Sequence, residues 1–152
     1  MDKLLPTLAV IIMTSVCGFA GELKVLMVGN SFTHSVLTYL PSLVKASAED
    51  KLLLGQAGIP GCPISRHIEE YEKSEADPSH RPYWTNLELK GNTPDGMRSL
   101  QELLDAEQWD IVTIQQVSSE SWQPDKFDNF YPRLVEIIRK HCPKSEIVIQ
   151  QT

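Results

Sequence analysis

The sequence predicts an α/β domain in which helices cover both faces of a parallel sheet, a three-layer αβα arrangement. Two observations carry that prediction. Apolar runs bounded by glycine, asparagine or proline recur along the chain, with segments of helical periodicity between them, in the order β-α-β-α-β-α-β. Those runs are near-continuous rather than alternating, as expected of strands buried on both faces. A length of 152 residues suffices for one domain with a real core. With 22% charged and 41% hydrophobic residues, the chain is neither disordered nor a bundle of membrane helices.

Residues 1–20 read as a secretory signal peptide. Lys3 supplies a short positive region, Leu4 to Val16 an apolar core, and Gly18-Phe19-Ala20 the small-x-small pattern of a cleavage site. The apolar core is too short for a membrane span. Cleavage after Ala20 leaves residues 21–152 as one exported domain, periplasmic or extracellular, with no membrane span. Lipid anchoring at Cys17 ranks second, because Thr14-Ser15-Val16 matches a lipobox poorly. Cys62 and Cys142 remain after cleavage. They could pair in an oxidising compartment. Nothing else in the sequence points to a disulfide scaffold, and two free thiols are expected.

The first strand, Lys24 to Gly29, stops abruptly at Asn30-Ser31. A helix follows from about Ser35 to Glu49, with Val36, Leu37, Leu40, Leu43 and Val44 as its apolar stripe. Pro41 inside it marks a kink or the start of a second helix. Lys51 to Ala57 is the second strand. Gly58-Ile59-Pro60-Gly61-Cys62-Pro63 then forms a defined turn, and a helix runs from Ile64 to Glu75. Asp77 to Pro94 is a long excursion with a short extended piece over Trp84 to Leu89. Tyr83 and Trp84 could wall a sugar site there, although packing onto the body is the commoner use of such aromatics; His67 and His80 read as surface or loop residues. Asp95 to Ala106 reads as a helix capped by Thr93 or Asp95, with Met97, Leu100, Leu103 and Leu104 inward. Trp109 to Gln116 is the third strand, Phe127 to His141 the next helix, and Glu146 to Ile149 the fourth strand. A sheet of this class continues with another helix and strand, so the stop at Thr152 reads as a domain truncated after about four strands.

Three strand ends carry residues with chemistry, and in an open parallel sheet such ends lie side by side at the usual ligand crevice. Ser31 follows the first, Gly61 the second, and Gln115-Gln116 closes the third. Acyl transfer by serine needs an activated hydroxyl, a base, and donors for the oxyanion. Ser31 lies where the positive end of the following helix favours developing negative charge. The competing reading is a helix-capping serine.

The stretch Lys24 to Thr33, with Gly29-Asn30-Ser31 where many members have Gly-Asp-Ser, resembles the first motif block of the SGNH (GDSL-like) hydrolases. The resemblance implies a flavodoxin-like sheet, ester hydrolysis, Ser31 as nucleophile, and the Gly61 N–H as an oxyanion donor. The family's third block is Gly-x-Asn. No asparagine ends the third strand here, and the Gln116 amide is the candidate for that role, with Gln115 and Ser118 next. The family's last block, Asp-x-x-His, is absent. The resemblance therefore covers three of four blocks, from Lys24 to Trp122, and implies a histidine base beyond Thr152, without which this stretch is inactive; His34 and His141 fit the role poorly. Export and the Tyr83-Trp84 loop point to a small-molecule or carbohydrate ester, such as an O-acetyl sugar, as substrate. The alternative from another class is a non-catalytic glycan-binding module on the same scaffold.

Other classes find little support. A net charge of -6 and the lack of a basic patch argue against nucleic acid. Gly29 to Thr33 has neither the second glycine nor the lysine of a phosphate-binding loop, and no Gly-x-Gly-x-x-Gly follows the first strand. No CxxC or HExxH spacing occurs, so no metal and no cofactor are implied.

Overall fold

The computed structural model describes residues 22–47, 51–87 and 96–151. The signal-peptide reading of residues 1–20 lies outside them. The apolar runs form four parallel strands: β1 (Glu22–Gly29), β2 (Lys51–Gly58), β3 (Ile111–Gln115) and β4 (Glu146–Gln150). Their spatial order is β2-β1-β3-β4. Helices α1 (Thr33–Ser47), α2 (Ile64–Ala76), α3 (Leu100–Leu104), α4 (Pro124–Asp128) and α5 (Tyr131–His141) stand between them.

Strand alternation assigns each side chain to a face. Val25, Met27 and Leu54 turn to α1 and pack with Val36, Leu37 and Leu40. Leu26, Val28, Val112 and Ile114 turn to the opposite layer and pack with Tyr71, Leu103, Leu134 and Ile138. The three-layer αβα architecture is therefore present, with α1 on one face and α2, α3 and α5 on the other.

Three elements differ from the periodicity-based reading. Helix α1 begins at Thr33 and runs past Pro41, which is exposed; water can take the Leu37 carbonyl that loses its helical donor there. Its expected end at Glu49 lies outside the described residues. The helix expected from Asp95 shrinks to α3. Ser99 and Glu102 form a capping box that starts it late, the Ser99 Oγ accepting from Glu102 N and the Glu102 carboxylate from Ser99 N. Upstream, Gly96 has φ +69° and Arg98 pairs its backbone with Tyr83, so neither can be helical. The expected caps Thr93 and Asp95 lie outside the described residues. The helix expected over Phe127 to His141 splits into α4 and α5, because Pro132 in the first turn of α5 has no N–H to continue α4. Cys62 and Cys142 are both buried free thiols. Burial pushes the Cys62 thiol up to about 12, and the Cys142 Sγ donates to Leu104 O at 3.3 Å.

Candidate functional site

Strand β1 runs into the interior and must turn at once to start α1. Gly29 permits the turn: a Cβ there would stand 2.7 Å from Thr33 Cγ2 and 3.0 Å from Gln115 Cβ. Asn30 is buried and fixes the shape of the turn. Its Oδ1 accepts from Phe32 N at 3.2 Å, and its carbonyl accepts from Thr33 N at 3.1 Å and Thr33 Oγ1 at 2.7 Å. Its Nδ2 donates to Cys62 O at 3.5 Å and to Gln116 O at 3.4 Å. One side chain thus ties the turn after β1 to the segments after β2 and β3. An aspartate would turn an acceptor toward two carbonyl oxygens, which gives a physical reason for Gly-Asn-Ser in this chain. The turn leaves Ser31 exposed at the start of α1.

Ser31 opens onto a cleft of about 300 Å³ whose walls include Asn30, His34, Gln56, Ile59 and Trp84. Gln56 Nε2 donates to Thr33 Oγ1, which spends its own proton on Asn30 O. The far wall is built along the free edge of β2. The Trp84 backbone pairs antiparallel with Gly58, at 3.0 and 2.9 Å. The Asn86 amide continues the pairing, accepting from Gln56 N and donating to Leu54 O, both at 2.8 Å. The His34 ring stands edge-on to the Trp84 indole, with centroids 6.0 Å apart.

Of the residues expected at the site, Ser31 lines this cleft. Gly61 sits two residues past the wall formed by Ile59, exposed, with φ +62°; a Cβ there would meet nothing within 4 Å, so the backbone conformation alone calls for glycine. Gly58 lines the cleft instead, with its N–H already donated to Trp84 O. Gln116 does not present its amide to the cleft. It is 1% exposed; its Oε1 accepts from Ile64 N at 3.0 Å and Val117 N at 2.9 Å, and its Nε2 donates to Lys126 O at 3.4 Å. Strand alternation sends it to the α2 layer, where the first turn of α2 needs an acceptor. Gln115 goes to the α1 face. It is fully buried beside Gly29, and neither atom of its amide finds a partner among the described residues. Ser118 lies exposed in the loop after β3.

Of the four histidines, only His34 lines the Ser31 cleft. His67, expected near the surface, is fully buried; its Nδ1 meets Tyr83 OH at 3.0 Å, that hydroxyl donates to His67 O at 3.3 Å, and Nε2 has no partner among the described residues. Burial lowers its pKa to about 3, because a second N–H would have no acceptor in the core. His80 pairs with Glu70. His141 bridges Asp105 and Tyr71, at 2.9 and 3.1 Å.

Asn30 and Gln56 are the residues that the motif reading gave no role, whereas Trp84, a candidate sugar wall in the sequence, lines the cleft. The signal for Asn30 was its own identity, an amide where the Gly-Asp-Ser pattern that the stretch resembles has a carboxylate. Gln56 carried a signal as the one strongly polar residue in the buried part of β2. Among the described residues, no group of three or more His, Cys, Asp or Glu side chains could hold a metal ion, and no helix is long and apolar enough to cross a membrane.

The comparisons with known proteins agree with this geometry at the level of the fold. A crystal structure of a DUF4886 family protein from Bacteroides uniformis is similar, with a TM-score of 0.68 and 28% identity. The match covers 85% of this chain and 49% of that protein, so the chain spans about half the length of this relative. No curated protein matches. The sequence pattern of DUF4886, described as a domain of unknown function, matches residues 24–151, and the chain belongs to that family.

Proposed function

We propose that the protein is an exported serine esterase of the SGNH type, with Ser31 as nucleophile. The observation that supports this reading best is the exposed Ser31 on a tight strand-to-helix turn, facing a cleft between the ends of β1 and β2, with Asn30 tying that turn to the segments after β2 and β3. In this reading the Ser31 hydroxyl attacks the ester carbonyl and its proton passes to a base. The alcohol leaves, and water then releases the acyl group from Ser31. The oxyanion donors are the Ser31 N–H, at the positive end of α1, and the Gly61 N–H. Gln116 supports the loop from behind and does not touch the substrate. The base is a histidine outside the described residues, with His34 the alternative within them. The substrate is a carbohydrate ester such as an O-acetyl sugar, and residues 1–20 direct export.

Turnover of an aryl acetate by the complete protein tests the chemistry. Ser31→Ala is expected to lower kcat by at least about 10³-fold, the scale on which loss of a serine nucleophile acts. Equal turnover by the variant would remove Ser31 from the mechanism. An absence of turnover in both, with sugar binding retained, would favour the non-catalytic glycan-binding module.

A further inference from the structure

Trp84 is 42% exposed, an unusual state for so large an apolar side chain. Its exposure is built in. Immediately before it, Tyr83 is fully buried, stacked on His67 and paired through its backbone with Arg98 by two bonds of 2.9 Å. Two residues after it, the Asn86 amide is fastened to the edge of β2. Trp84 itself is paired with Gly58. The backbone therefore holds the indole at the rim of the Ser31 cleft, with the His34 ring in a T-shaped contact beside it. Within the same cleft wall, Gln56 is 3% exposed. Its Nε2 is committed to Thr33, while its Oε1 has no partner among the described residues. A buried acceptor left open beside a presented aromatic face is what a ligand with both an apolar face and a hydrogen-bond donor would satisfy.

We propose that Trp84 is the platform on which the apolar face of a pyranose ring stacks, with a ring hydroxyl donating to Gln56 Oε1, and that this pair selects sugar esters over simple aliphatic esters. Tyr83 and Asn86 are positioning residues for that platform. The ester part rests on the proposed role of Ser31 as nucleophile; the ring-binding part stands independently of it. An open cleft with a flat, half-exposed indole suits a rigid ring better than an acyl chain, which gains most from an enclosed apolar channel.

The test is calorimetric titration of the complete protein carrying Ser31→Ala with O-acetylated xylo-, manno- and gluco-configured oligosaccharides. At least one is expected to bind. Adding Trp84→Ala should weaken that binding at least tenfold, Trp84→Tyr should restore most of it, and Gln56→Leu should weaken it several-fold. Trp122→Ala, removing the other exposed tryptophan, should leave it unchanged. No binding by any of the sugars, or binding indifferent to Trp84→Ala, overturns the platform. Trp84-dependent binding by a protein whose wild-type form hydrolyses no ester would leave the platform standing and remove the esterase.

Discussion

Replacing Gln116 by alanine separates two roles that a glutamine at the end of β3 could have. Its amide accepts from Ile64 N, in the buried first turn of α2, and from Val117 N, which is half-buried. Alanine leaves both donors without that acceptor. A buried donor stripped of its partner costs about 1–3 kcal/mol. Ile64 N should cost near the upper end and Val117 N near the lower, since water reaches it more readily. The loss is therefore expected at about 2–4 kcal/mol, a large part of the roughly 5–15 kcal/mol that holds a domain of this kind. Urea unfolding of wild type and variant should show the midpoint falling with the slope unchanged. Gln116→Glu should recover part of the loss, because a carboxylate still accepts both N–H groups at the positive end of α2, although it then faces Lys126 O. A direct oxyanion donor would behave differently, costing about 2.7–4 kcal/mol in the transition state and nothing in the fold. An unchanged midpoint with kcat lowered 10²–10³-fold would refute the structural role assigned here.

Two further perturbations bear on the same framework. Asn30→Asp turns a carboxylate toward Cys62 O and Gln116 O, which raises its folded-state pKa above the unfolded value of about 3.9. The variant should therefore be least stable at neutral pH and recover as pH falls through its raised folded-state pKa, with recovery complete by about pH 4; a stability deficit independent of pH would contradict this. His67 has its folded pKa lowered from 6.5 to about 3, so its contribution to stability is complete above pH 6.5 and is lost as pH falls toward about 3. Stability should fall in that window by about 1.4 kcal/mol per pH unit from this group. His67→Phe should remove one proton's worth of the slope in denaturation curves taken from pH 7 to 3, and an unaltered slope would show that His67 charges within the fold.

The parts of the fold readable from the sequence are those that local chemistry decides. Lys24 to Gly29 could only be a buried strand, and the turn at Asn30-Ser31 and the helix beginning at Ile64 follow from glycine, proline and apolar spacing. The misread parts depend on partners distant in sequence or on competing local signals. The spacing of Met97 with Leu100, Leu103 and Leu104 fits a longer helix, but Arg98 is held in an extended pairing with Tyr83, fifteen positions away, and Ser99 with Glu102 caps a shorter one. Pro132 interrupts the helix expected over Phe127 to His141, a break that the apolar period around it conceals. At the site, Ser31 was legible because its motif is local. Alternation along β3 correctly places Gln115 and Gln116 on opposite faces, but it does not say which face opens onto the cleft; the needs of α2 decide that. The role of Asn30 spans residues 30, 62 and 116, a relation no window of sequence contains.

The central claim is that Ser31 is an activated nucleophile, and reaction of the complete protein with a serine-directed fluorophosphonate tests it most directly. A single covalent adduct by intact mass is expected, located on the peptide containing Ser31 and absent from Ser31→Ala, with both proteins showing the same urea midpoint. An adduct that persists in Ser31→Ala, or a wild-type protein that turns over aryl acetate without being labelled at Ser31, would contradict it.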